Sequence, residues 1–184
     1  MGGGNKALLP IGGRSIIERV SDVLREIFEH NILITNSPED FGFLGLPMFG
    51  DLVLGHGSLG GLYTGLKTCG RDYGFLVACD MPFLNKDVIS YMVDRTDDND
   101  VIVPRISAGV EPLHGIYSRK CLPLIEELFA EEDLKTRDIF RKAKILEIRE
   151  EELKLFDPGL FFLLNVNTPD DLRRARELAE ERGL

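Results

Sequence analysis

Apolar positions recur along the chain in two spacings. Ile16, Ile17, Val20, Val23, Leu24 and Ile27 fall on one face at helical spacing, with charges between them and Ser15 placed to cap. Shorter apolar runs bounded by Gly, Pro or polar residues predict strands over residues 31–36, 47–51, 75–79, 101–104, 111–117, 145–148 and 161–167. The run from Phe75 to Cys79 lies between Gly74 and Pro82, as suits a strand buried on both faces. Further helices are predicted over 57–66, 86–94 and 122–129, with a short one starting at 135–138. The last opens at Thr168-Pro169-Asp170-Asp171, a cap followed by proline and two acids at the positive helix end. Ile11-Gly12-Gly13-Arg14 reads as a tight turn. Strands alternating with helices predict a three-layer, Rossmann-like α/β fold with a mostly parallel sheet.

Composition narrows the class. At 184 residues the chain is long enough for one sizeable domain, and 43% hydrophobic with 29% charged residues is ordinary for a soluble protein. A net charge of −9, with no basic run, argues against a nucleic-acid surface. No apolar stretch is long enough to span a membrane. The three cysteines, Cys69, Cys79 and Cys121, are scattered, which suits reduced thiols in a cytoplasmic enzyme.

Candidate chemistry gathers where the predicted strands end. Thr35 and Asn36, Asp51, Asp80, and Asn165 with Asn167 each close an apolar run. In a parallel α/β sheet such residues reach one rim, where ligands bind. Asp80 is placed either to hold Mg²⁺ or to cap the helix suggested by Asn85-Lys86-Asp87-Val88. Gly3 and Gly4 before Lys6 read as a backbone cradle for phosphate or as a flexible amino end. Gly57, Gly60 and Gly61 open a helix whose free N–H groups a ligand could approach. This set suits a nucleotide with Mg²⁺ and favours attack by a phosphate or hydroxyl on the nucleotide's α-phosphate. That reaction needs positioning and positive charge more than covalent help.

Several motifs then occur in order. Met1-Gly2-Gly3-Gly4-Asn5-Lys6-Ala7-Leu8-Leu9 resembles the second half of the signature LAGGxSxRMGxxKALL. Gly57-Ser58-Leu59-Gly60-Gly61 resembles GPLGG, and Ala78-Cys79-Asp80-Met81-Pro82-Phe83 resembles PCDMPF. Glu111-Pro112-Leu113 and Asn165-Val166-Asn167-Thr168-Pro169-Asp170-Asp171-Leu172 resemble EPL and NxNTPEDL. Over nearly the whole chain the sequence is similar to the molybdenum cofactor guanylyltransferase (MobA) family of nucleotidyltransferases.

The resemblance implies the fold of the nucleotide-diphospho-sugar transferases, and GMP transfer from GTP to molybdopterin with Mg²⁺ and release of pyrophosphate. It implies a nucleotide-binding half over residues 1–95 and an acceptor half over 96–184. Lys6 then contacts the triphosphate and Asp80 holds the metal. Asp51 reads the guanine edge, Thr35 or Asn36 contacts the nucleotide, and Asn165 and Asn167 lie near metal and pterin. Molybdoenzymes or their chaperones are possible partners, with the protein a monomer or weak oligomer. Ser58 replaces the family proline. The half-signature LAGGxSxR and the strand before it are missing. A misplaced start codon or a truncated chain is therefore expected, with buried neighbours left without ladder partners and poor activity.

Two other readings compete. One is a cytidylyl- or sugar-phosphate nucleotidyltransferase; the other is a non-catalytic nucleotide- or cofactor-binding partner of molybdoenzymes. His30, His56 and His114 are expected to be structural. Arg105 and Arg119 either meet the pterin phosphate or lie at a solvated surface.

Overall fold

The computed structural model describes residues 5–131 and 135–184; Gly3 and Gly4 lie outside the described residues. After a 3₁₀ turn over Lys6–Leu8 comes a hairpin of β1 (Pro10–Ile11) and β2 (Arg14–Ser15). Gly12 and Gly13 turn it at φ 57° and 79°, a region that favours glycine. Helix α1 (Ile16–Ile27) follows. The Ser15 hydroxyl accepts from the Glu18 amide at 3.4 Å, and the Glu18 carboxylate accepts from the Ser15 amide at 2.8 Å. This is the reciprocal cap that the sequence suggests at its Ser15 end.

Two strand groups lie behind α1. β3 (Leu33–Ile34) pairs in parallel with β4 (Met48–Phe49). The larger sheet contains β5 (Tyr73–Val77), β6 (Val101–Ile106), β7 (Gly109–Val110), β8 (His114–Ser118) and β9 (Ile145–Arg149). β8 is antiparallel to β5 on one side and to β6 on the other, while β6 and β9 are parallel. β5, β6 and β9 therefore share one direction and β8 opposes it.

Alternation along β6 sends its side chains into two layers. Val101 and Val103 pack with Leu59, Leu62 and Leu66 of α2 (Gly57–Thr68) and with Ile125 of α4 (Leu122–Ala130). Ile102 faces the other way, to Val88 and Met92 of α3 (Lys86–Val93) and to Leu153 of the short α5 (Glu150–Leu153). Helix α6 (Pro169–Glu181) joins α1 and α3 around Met81, Ile89 and Val166. The result is helix, sheet, helix. Among the described residues no helix is long and apolar enough to cross a membrane.

Two expectations about strands fail in instructive ways. Residues 161–167 form no strand. Phe161–Leu163 is a single 3₁₀ turn after Leu160 at φ 51°, and the Val166 amide gives one bond, at 2.9 Å, to the Asp80 carbonyl. β5 is not buried on both faces either. All its positions are partly exposed, because it pairs on one edge alone. β3 and β5 are not bonded to each other, and a cavity of about 550 Å³ opens between them.

Candidate active site

β5 ends at Val77, and the Ala78 amide bonds to the Leu113 carbonyl at 3.0 Å. The chain then leaves the sheet, so Cys79 and Asp80 sit on a turn above it. The Val166–Asp80 backbone bond draws Asn165 and Asn167 to that turn. From the other end of the chain, the Asn5 side chain accepts from the Ala7 amide at 3.2 Å and fixes the 3₁₀ turn Lys6–Leu8. Lys6 Nζ donates to Asn167 Oδ1 at 3.2 Å. Lys6, Asp80 and the late asparagines are thus brought together.

The electrostatics suit a charged ligand. Burial pushes the Asp80 carboxyl above the usual carboxylate range, while its own backbone amide and the Lys6 charge pull it down. Burial also raises the Cys79 thiol, with Asp80 adding to the effect. Glu111 is raised by burial first and by Asp80 in addition, against the Leu113 amide, which donates to it at 3.0 Å. The sequence marked Glu111 only as part of a motif; its electrostatic coupling to Asp80 is legible only in three dimensions. Among the described residues, Asn165 Oδ1 is buried without a partner.

Asp80 and Asn165 together offer hard oxygen donors, one of them orphaned. Mg²⁺ commonly takes one or two carboxylates and completes its shell with phosphates and water, so this donor set fits it. Among the described residues no group of three or more His, Cys, Asp or Glu could form an all-protein cage.

A second cluster lies past β3 and β4. Asn36 Nδ2 donates to Asp51 Oδ2 at 2.8 Å, and the Asp51 amide donates to Asn36 Oδ1 at 2.9 Å. The sequence left Thr35 and Asn36 open. The structure places Asn36 on Asp51, whereas the Thr35 hydroxyl accepts from the Ser37 amide at 3.1 Å and so serves the local turn. Beside this pair α2 begins at His56 without a side-chain cap and without an acid in its first turn. Its early N–H groups and the positive helix end are open to an anion. A Cβ on Gly60 would lie 3.0 Å from the Val53 carbonyl, so the close approach there needs glycine. Ser58 Oγ lies 3.0 Å from Thr136 Oγ1 and ties this end of α2 to the 3₁₀ segment Thr136–Arg141. Asp51, Gly57 and Gly61 line the same cavity as Cys79, the residue before Asp80.

His30 and His114 stand apart from both clusters, whereas His56 sits at the start of α2. The His114 ring is buried between Phe75 and Phe162, with centroids 5.0 and 4.8 Å away. His56 packs on Phe129 at 4.4 Å, and His30 contacts Arg71. Arg105 is forked onto Glu147 at the surface.

An α/β sheet with a carboxylate just past β5, a lysine against a late amide and an uncapped glycine-rich helix start together have the form of a nucleotidyltransferase. Comparison with known proteins makes this specific. The profile of the MobA-like NTP transferase domain matches residues 1–148. The molybdenum cofactor guanylyltransferase of Desulfosudis oleivorans is 35% identical over 175 residues, covering 95% of this chain and 87% of that protein. The crystal structure of molybdopterin-guanine dinucleotide biosynthesis protein A from Archaeoglobus fulgidus superposes with a TM-score of 0.82 at 24% identity, over 97% of this chain and 92% of the other. The 2-C-methyl-D-erythritol 4-phosphate cytidylyltransferase of Thermus thermophilus shares the fold, with a TM-score of 0.73 at 15% identity over 97% and 95% of the two chains. The chain belongs to the MobA-like NTP transferase family.

Proposed function

We propose that this protein transfers GMP from GTP to molybdopterin carrying molybdenum, in the cytoplasm, giving the guanine dinucleotide form of the cofactor and pyrophosphate. One observation carries the reading: the Lys6–Asn167 bond and the Asp80–Val166 bond gather a cation, a carboxylate and two amides from three distant parts of the chain. In the reaction a terminal phosphate oxygen of molybdopterin forms a bond to the α-phosphorus of GTP, and the bond from that phosphorus to the bridging oxygen breaks. Lys6 neutralises charge building on the leaving pyrophosphate. Asp80, with Asn165 Oδ1, would hold Mg²⁺, which supplies further positive charge beside the phosphates. The α2 amino end receives phosphate oxygens.

Asp51 supplies the base preference. Guanine presents N1–H and a 2-amino group side by side; adenine has no such pair of donors. Asn36 fixes the Asp51 carboxylate so that it can accept both. Residues 1–95 then serve the nucleotide and 96–184 the pterin, with molybdoenzymes or their chaperones receiving the product.

The test is to titrate GTP, CTP and ATP with molybdopterin and Mg²⁺ while following pyrophosphate release. GTP should be preferred, and equal turnover of all three would refute the role of Asp51. Asp80→Ala should lose turnover by at least about a hundredfold with its circular dichroism unchanged. Unchanged turnover would remove Asp80 from the metal site.

A further inference from the structure

Ser58 replaces the family proline and so brings a hydroxyl to the start of α2. The residue is exposed and lines the cavity beside Asp51, Gly57 and Gly61. Its Oγ lies 3.0 Å from Thr136 Oγ1, and the two hydroxyls differ in their surroundings. Thr136 is only 3% exposed. Its 3₁₀ segment is fixed on α2, because Ile139 is fully buried in the same cluster as Leu59, the residue after Ser58. The β-branched Thr136 side chain is also stiff about its first torsion.

The bond between the hydroxyls has a direction. Among the described residues, Ser58 Oγ is the hydrogen-bond partner of Thr136 Oγ1. If Ser58 donated, the Thr136 proton would be buried with nothing to accept it, at the full cost of desolvating a donor. Thr136 therefore donates and Ser58 accepts. A serine hydroxyl carries one proton besides its lone pairs, and accepting leaves that proton unused. It points away from Thr136, to the exposed side of the residue. Main-chain donors lie beside it. The Gly60 amide makes the first bond of the helix, to the His56 carbonyl at 3.1 Å. The amides of Gly57, Ser58 and Leu59 come before it and have no acceptor inside α2.

We propose that the Ser58 hydroxyl is a further donor at this helix start, aimed by Thr136 at a phosphate oxygen of the bound nucleotide. Thr136 is a positioning residue: it touches no ligand and fixes where the serine proton points. The family proline stiffens the same position but has no proton to give. This role rests on the site being a nucleotide site, and it depends on the phosphates rather than on the base.

Calorimetric titrations with GDP, CDP and guanosine, each with Mg²⁺, test it on the parent chain, Ser58→Ala, Ser58→Pro, Thr136→Val and Thr136→Ser. Guanosine has the base without the phosphates. GDP affinity should fall about tenfold in both Ser58 variants, as for a lost hydrogen bond to a charged group, with guanosine affinity unchanged. Thr136→Val keeps the shape without the hydroxyl and should weaken GDP about threefold, and Thr136→Ser should restore it. Once Ser58 is alanine, Thr136→Val should add no further loss. Full GDP affinity in both Ser58 variants, an equal loss for guanosine, or independent losses from the two positions would each overturn the proposal. CDP bound as tightly as GDP, with the same dependence on Ser58, would remove the guanine preference and leave the hydroxyl's role standing. A parent chain that binds neither diphosphate would end both.

Discussion

At the residue scale, single side chains are held by few but specific bonds. Asn36 both donates to and accepts from Asp51, so Asn36→Ala leaves the carboxylate free to rotate. A hydrogen bond to a charged group is worth about 1.5–3 kcal/mol, so the preference for GTP over ATP should fall by about tenfold or more, read from competing substrates. His114 gives a different test. Full burial lowers its pKa from 6.5 to about 3, so the folded protein keeps it neutral. The unfolded chain takes up a proton below about pH 6.5 and the folded chain does not, so this group costs stability as pH falls from 6.5 towards 3. His114→Leu removes that cost. Its stability relative to the parent should improve by about 2 kcal/mol between pH 8 and pH 5 in urea titrations, at about 1.4 kcal/mol per pH unit. The identities of Asp80, Asp51 and Lys6 as candidates were readable in the sequence, because each ends or precedes an apolar run. Glu111 and the orphaned Asn165 oxygen were not, because only packing reveals which polar atoms lack water.

At the element scale, helices were more legible than strands. A helix satisfies its own backbone, and its start carries a chemical mark. Ser15 with Glu18 and Thr168 with Asp171 are such marks, and both caps form. Ser15→Ala should cost about 1 kcal/mol in thermal or urea unfolding, since the Glu18 amide loses the hydroxyl that accepts from it. Strands depend on neighbours that periodicity does not name. The run at 31–36 shortens to Leu33–Ile34, and the run at 161–167 becomes a turn and an extended segment. Nothing in its composition distinguishes β8 as the reversed, fully buried strand between β5 and β6. Gly115 is the one local hint, because a Cβ there would lie 2.7 Å from a Val103 methyl.

At the scale of the whole molecule, the β3–β4 pair and the five-stranded sheet are held by different cores. β3 and β4 rest on a small cluster of Ala7, Ile17, Phe41 and Leu44, whereas β6 and β8 sit within the two large helix-covered clusters. Opening the smaller unit exposes less apolar surface. Amides of Leu33 and Thr35 should therefore exchange through openings several kcal/mol cheaper than those of Ile102 and Ile116, and native-state exchange in low denaturant would measure it. Equal values would mean that the two units open as one. The Lys6–Asn167 contact joins positions 161 apart in sequence. At about 5–20 residues per second of synthesis, roughly ten to thirty seconds separate the appearance of the lysine from that of its amide partner. A nascent chain can fold much of its sheet in that time, but the Lys6 ammonium cannot be held in this position until Asn167 has emerged.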